Sequence, residues 1–269
     1  MEFSVKPDPT NNRLTREMTG LDQDAKETDI RVVEERPLTI FLNSQEIVTV
    51  MTIRDHPEYL AIGYLLNQRM ILPNDIISNI EYDEDIETIV VRTKRKTNYE
   101  EKLRKRTLTS GCAQGTAFGD LMEHIDDIVL PQNIIFKTSW IYSLSRKINL
   151  QPSLYLSAGA IHGCVLCEED KPLIYMEDVG RHNAIDKIAG YMFQHNISSS
   201  GKSFYTTGRL TSEMVLKTVQ MNIPILVSRS GFTAWGVELA RQTGLTLIGR
   251  AKGKRFVVLA GTERILYDS

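Results

Sequence analysis

A thiol does chemistry only where it can ionise and be reached, and the chain has three cysteines, Cys112, Cys164 and Cys167. Cys112 stands in Thr107-Leu108-Thr109-Ser110-Gly111-Cys112-Ala113-Gln114-Gly115-Thr116, directly after a stretch from Arg92 to Arg106 with eight Lys or Arg against two Glu. Nearby positive charge lowers a thiol pKa, and the thiolate is the form that attacks sulfane sulfur. Gly111, Gly115 and Gly119 permit backbone conformations closed to other residues, so 107–119 reads as a loop able to carry a reactive thiol. The competing reading of Cys112 is an inert small residue. The basic run itself reads either as a solvated β-ribbon or as a docking surface.

Cys164 and Cys167 form a second pattern, His162-Gly163-Cys164-Val165-Leu166-Cys167. One Cys-x-x-Cys supplies two of the four ligands of a structural zinc site, and the chain has no second cluster at suitable spacing. The pair therefore reads as buried strand cysteines, with no structural metal expected. A zinc deaminase is disfavoured on the same residues, because position 164 is Cys164 where that chemistry needs Glu, and no proline precedes the pair.

The elements that must position these groups follow from composition and periodicity. With 269 residues, 42% hydrophobic and 25% charged, the chain can bury a large core, and a net charge of -2 argues against a basic coat for duplex nucleic acid. No early apolar run resembles a signal peptide and none approaches a spanning helix, so the expectation is a cytoplasmic protein that binds no membrane. Residues 1–30, with seven acidic and four basic side chains, read as a mobile polar arm. A smaller α+β unit over 31–130 then has strands at 37–42, 46–52, 76–82 and 87–93, and a helix that Asp55 caps and Pro57 opens. Beyond the Pro131-Gln132-Asn133 boundary, 131–269 alternates. Helices are expected at 139–148, 183–193, 212–221 and 234–242, and strands at 154–162, 173–177, 203–207, 223–227 and 246–248. This is an α/β domain of right-handed crossovers on a parallel sheet.

Ligands on such sheets gather beyond the carboxyl ends of the strands. There the sequence places Gly208-Arg209, Ser228-Arg229-Ser230-Gly231 and Gly249-Arg250, with Asp178-Val179-Gly180-Arg181-His182-Asn183 earlier. Three arginines on one rim suit phosphates, unless they are solvated or ion-paired. His182 reads equally as a proton carrier or as a structural hydrogen-bonding group.

Glu177-Asp178-Val179-Gly180-Arg181-His182-Asn183-Ala184-Ile185-Asp186-Lys187 resembles the central motif of the formate dehydrogenase accessory sulfurtransferases, the FdhD proteins. The similarity extends through Thr207-Gly208-Arg209, 223–228 and 244–256, and covers most of the chain from Arg36 onward. The resemblance implies a sulfurtransferase that takes sulfur from a cysteine desulfurase as a persulfide. The acceptor it implies is the molybdenum (or tungsten) bis(guanine dinucleotide pterin) cofactor of formate dehydrogenase. It further implies a cytidine-deaminase-like layered fold for the C-terminal domain, and a homodimer. Carried across, Cys112 matches the persulfide-bearing position, whereas the second cysteine of the family's loop is Gly115 here. Arg250, Ala251, Lys252, Gly253, Lys254 and Arg255 match the stretch that binds the cofactor. The alternative function is a non-catalytic chaperone that binds the cofactor during formate dehydrogenase maturation.

Overall fold

The computed structural model describes residues 3–95, 107–109, 112–116, 122, 124–125 and 128–268. Strands β1 (Thr15–Leu21) and β2 (Glu27–Val33) pair antiparallel, with Thr15 opposite Val33. Most of the expected arm is therefore a hairpin. Asp22 Oδ1 accepts from the Asp24 and Lys26 amides and closes its turn, while Leu14 is buried with Ile53, Leu154 and Ile161. These local bonds offset the polar composition on which the expectation rested.

β3 (Arg36–Leu42) and β4 (Gln45–Thr52) form the expected hairpin, and its alternation buries Leu38, Ile40 and Leu42 on one face. Helix α1 (Pro57–Asn67) follows, and β5 (Ile77–Asp83) and β6 (Thr88–Thr93) complete a four-stranded sheet of order β4-β3-β6-β5. Asp55 does not cap α1. His56 takes the cap position with left-handed backbone and no side-chain bond, because Asp55 turns inward to a buried lysine. β7 (Thr107–Thr109) and β8 (Cys112–Thr116) pair antiparallel, with Thr109 opposite Cys112, so the segment read as a loop is partly strand. β8 lies against β4.

In the second half, β9 (Phe136–Lys137) leads into α2 (Thr138–Leu150) and the short α3 (Leu154–Ala158). A strand is expected over 154–162. Instead Ser153 caps α3 by accepting from the Leu156 amide, and the strand starts at His162. Then come β10 (His162–Glu168), β11 (Lys171–Asp178), α4 (Arg181–Gln194), β12 (Lys202–Thr206) and α5 (Ser212–Gln220). β13 (Ile225–Ser228), α6 (Ala234–Thr243), β14 (Thr246–Lys252), β15 (Arg255–Ala260) and β16 (Ile265–Leu266) finish the chain. The main sheet runs β11-β10-β12-β13-β14-β15. It is mixed. Helical crossovers make β12, β13 and β14 parallel, whereas tight turns make β10–β11 and β14–β15 antiparallel.

Helix α2 covers one face of this sheet, packing Ile141, Leu144 and Ile148 on Val165, Tyr205, Val227 and Ile248. Helices α4, α5 and α6 cover the other face, over Leu166, Phe204, Leu226 and Leu247. Helix α1 then packs on α4 and carries the four-stranded sheet on its far side. The two helices touch backbone to backbone. A Cβ on Gly63 would lie 1.7 Å from the Asp186 carbonyl oxygen, and one on Gly190 would lie 1.9 Å from that of Tyr59.

Candidate functional site

The Glu177–Lys187 motif spans the end of β11, a tight connection and the first turns of α4, and its side chains divide between two environments. Asp178, Asp186 and Lys187 turn inward. Lys187 is fully buried; its Nζ pairs with Asp178 Oδ2 at 2.5 Å and with Asp55, and donates to the Glu177 carbonyl at 2.9 Å. Asp178 also accepts from Thr52 Oγ1 at 2.5 Å and from Asn183 Nδ2 at 3.0 Å, and Asn183 donates to the Met51 carbonyl at 2.7 Å. Burial opposes the Lys187 charge, but the two carboxylates outweigh it and hold its pKa above the usual lysine value. Asp186 accepts from Asn67 Nδ2 at 2.7 Å and pairs with Lys217 at 2.6 Å. Thr52, Asp55 and Asn67 come from the N-terminal unit, so the motif's charges tie the two halves together.

The remaining groups face the rim. Antiparallel pairing sets His162 opposite Asp178 and Cys164 opposite Thr206, and parallel pairing sets Thr206 opposite Ser228 and Val227 opposite Ile248. His162, Arg181, Arg209, Arg229 and Arg250 therefore stand along one edge. The Arg181 side chain crosses Gly208 so closely that a Cβ there would meet its Cδ at 2.7 Å. Arg229 lays its guanidinium over the Tyr155 ring, 4.4 Å from the centroid, and donates to Asn149 Oδ1 at 3.4 Å. The loops are stitched together: Ser228 Oγ donates to the Gly208 carbonyl at 2.6 Å, and the Arg250 amide to the Ser230 carbonyl at 2.7 Å. Among the described residues no carboxylate pairs with Arg209, Arg229 or Arg250.

The histidines record that field. Burial first, then Arg181, Arg209 and Arg229, push the His162 pKa below its ordinary value. His182 is pushed down to about 2 by burial, with Lys217 and Arg181 adding to it. His182 Nε2 lies 3.2 Å from Glu213 Oε2, but an imidazole among so many cations stays neutral, which removes the proton-carrier reading at neutral pH.

The cofactor stretch does not sit in a loop after a strand ending at 248. β14 continues to Lys252, and Gly253 and Lys254 turn the chain into β15 with Lys252 opposite Arg255. Gly253 has a φ of +61°, as this tight turn requires. Arg250, Lys252, Lys254 and Arg255 are exposed, and Ala251 is buried against the α2 side of the sheet. A groove of about 590 Å³ runs between this turn and α2, lined by Tyr142, Ser143, Arg146, Asn149, Gly253 and Lys254. Asn149 joins the groove to Arg229.

Cys112 opens β8, and its side chain lies outside the described residues, as do residues 96–106 and 117–121. The other two thiols point to opposite faces of the sheet. Cys164 packs with Leu166 and Phe204 beneath α4, and Cys167 packs with Val165 and Tyr205 beneath α2. They cannot ligate one metal ion. Burial pushes the Cys164 thiol up to about 12, with Thr206 opposing, and burial raises Cys167 as well.

Two participants were not legible as rim groups in sequence. His162 stood out only as a neighbour of Cys164 in the His162–Cys167 pattern. Tyr155 lay in a segment read as strand, and nothing in its spacing could foretell a guanidinium stacked on it.

The sulfur carrier protein FdhD of Wolinella succinogenes is 30% identical over 244 residues, covering 90% of this chain and 84% of its own. That of Bacillus pumilus is 29% identical over 235 residues, covering 87% and 90%. The crystal structure of a formate dehydrogenase accessory protein from Desulfotalea psychrophila superposes with a TM-score of 0.74 at 27% identity, over 94% of this chain and 98% of that one. Residues 33–266 match the FdhD/NarQ family, and the chain belongs to it.

Proposed function

We propose that this chain is a sulfurtransferase. The Cys112 thiolate attacks the outer sulfur of a cysteine desulfurase persulfide and releases the desulfurase thiolate. The S–S bond of the resulting Cys112 persulfide then breaks, its outer sulfur passing to the molybdenum (or tungsten) bis(guanine dinucleotide pterin) cofactor needed for formate dehydrogenase activity while Cys112 leaves as the thiolate. The cofactor is the substrate, held at 250–255 and along the rim by Arg229 and Arg209. The reading includes action in the cytoplasm as a homodimer, with the desulfurase and formate dehydrogenase as partners. The observation that carries it is the row of Arg209, Arg229 and Arg250 on the rim, which no described carboxylate pairs with and which suits the phosphates of a dinucleotide. The fate of the other thiols supports it, since burial keeps Cys164 and Cys167 protonated and unreactive. The layers of sheet and helix in the C-terminal half support the cytidine-deaminase-like description as well.

Gly115 favours a second reading, in which the chain binds and delivers the cofactor without forming a persulfide. One experiment separates the two. Incubating the wild type with a desulfurase and cysteine is expected to add one reductant-sensitive sulfur to the Cys112 peptide. Cys112→Ala is expected to lose both the adduct and formate dehydrogenase activation while staying folded. Full activation by that variant would leave the binding chaperone as the function.

A further inference from the structure

Glu177 opens the family motif, yet its side chain joins neither the buried ion pairs nor the rim. It reaches sideways to helix α3. Its Oε2 accepts from the Leu154 amide at 2.7 Å and its Oε1 from the Tyr155 amide at 3.2 Å, with the Tyr175 hydroxyl donating to Oε1 at 3.4 Å. The two amides are the first free donors of a helix of five residues, too short to hold itself. That helix presents Tyr155, the platform under Arg229. A chain of contacts thus runs from Glu177 through α3 and Tyr155 to a rim guanidinium.

We infer that Glu177 is a positioning residue for the anion site: its carboxylate holds α3 and Tyr155 in place and so fixes Arg229 where it meets the phosphates of the bound nucleotide. This rests on the reading of the rim as the nucleotide site. The chemistry requires both oxygens as acceptors. A carboxylate has one for each amide, whereas the neutral acid turns one oxygen into a donor and leaves one amide poorly served.

The surroundings place the switch near neutrality. Burial raises the Glu177 pKa to about 7, opposed by the Leu154 and Tyr155 amides and by Tyr175, and assisted by Asp55. The other groups around it are Lys187, bonded to the Glu177 carbonyl, and Arg229, which acts on Tyr175. Because the folded pKa lies above the unfolded value of 4.5, the proton is held more tightly in the folded chain. This group's contribution to stability is full below pH 4.5 and is lost as pH rises through about 7. Nucleotide binding has the opposite preference, since only the carboxylate serves both amides. The arrangement trades stability for alignment of the rim.

The test is titration of the full chain with guanosine diphosphate at pH 6 and pH 8, for wild type, Glu177→Gln, Arg229→Ala and the double variant. The amide of Glu177→Gln has one acceptor oxygen at every pH. It is expected to bind at pH 8 about tenfold more weakly than wild type and to lack the wild-type gain between pH 6 and pH 8. Protonation of the nucleotide affects both proteins equally and cancels. The Arg229→Ala loss is expected to shrink in the Gln background, and the melting temperature of Glu177→Gln at pH 8 is expected to equal or exceed wild type, which a merely structural role would not produce. If Arg229→Ala weakens binding while Glu177→Gln keeps wild-type affinity and pH profile, the inference falls and the rim stands. If Arg229→Ala leaves wild-type affinity unchanged, the rim reading falls and takes the inference with it.

Discussion

The buried charges of the Glu177–Lys187 motif and the cations of the rim lie a few residues apart and obey different rules. Inside, the two buried lysines have acidic partners: Lys187 has Asp178 and Asp55, and Lys217 has Asp186. Outside, Arg209, Arg229 and Arg250 have none among the described residues. Desolvation explains the first pattern, because a buried ion survives only when paired and hydrogen-bonded. It also shows why charge in a family motif is a poor guide to chemistry. Three of the motif's charged groups hold the fold, and Arg181 alone of its cations borders the rim.

The sharpest way to break this comparison is to remove an inside charge. Lys187→Met would leave Asp178 and Asp55 facing an apolar side chain at the junction between the two halves. Breaking a buried pair on one side typically costs about 3–5 kcal/mol. Urea unfolding is expected to show a loss of that size. A loss below about 1 kcal/mol would mean that the helix contact of Gly63 and Gly190 holds the halves together without the ion cluster.

On the outside, the same comparison predicts lost binding without lost stability. Neutralising Arg250 and Arg255 together is expected to raise the dissociation constant of guanosine diphosphate at least tenfold, about 1.4 kcal/mol. Both side chains are exposed, so the urea midpoint is expected to stay at the wild-type value. Added salt weakens the wild-type complex more than the variant's. Unchanged affinity would remove the β14–β15 turn from the site.

Much of this architecture was legible in the sequence because it is written in periodicity. The alternation at Leu38, Ile40 and Leu42, and the βα succession after residue 131, placed the strands and helices within a few residues. The rim arginines followed from strand ends read at Thr207 and Val227, one residue from the observed ends at Thr206 and Ser228. What was not legible depended on single polar contacts between distant residues. Asp55 has a good capping position, but Lys187, 132 residues away, claims it. Ser153 and Glu177 turned 154–158 into a helix where the apolar run Leu154-Tyr155-Leu156 suggested a strand. The Arg250–Arg255 stretch has a strand-end pattern, and only the pairing of Lys252 with Arg255 shows a hairpin. Composition misled at 15–33, where the turn at Asp22 outweighs polarity.

The smallest expected effect sharpens the comparison most, because it asks whether the rim is one electrostatic unit. Arg209 follows Gly208, is exposed, and makes no ion pair with a described residue, so Arg209→Ala is expected to change stability by less than about 0.5 kcal/mol. Its charge is nevertheless felt. Arg209 is among the cations that push the His162 and His182 pKa values down, behind burial in both cases. Removing it relieves one of those contributions and leaves burial and Arg181 in place. The pKa of His162, which is half-buried, is therefore expected to rise, while His182 stays neutral throughout the accessible range. Imidazole proton resonances followed by NMR between pH 4 and pH 8 measure this directly. A cation that spreads its field over the rim also attracts an approaching diphosphate, so the same variant is expected to bind guanosine diphosphate about threefold more weakly, ~0.7 kcal/mol. An unmoved His162 titration together with unchanged affinity would show that Arg209 points away from the edge. The anion site would then be the Arg181, Arg229 and Arg250 side of the rim, continuous with the groove beside α2.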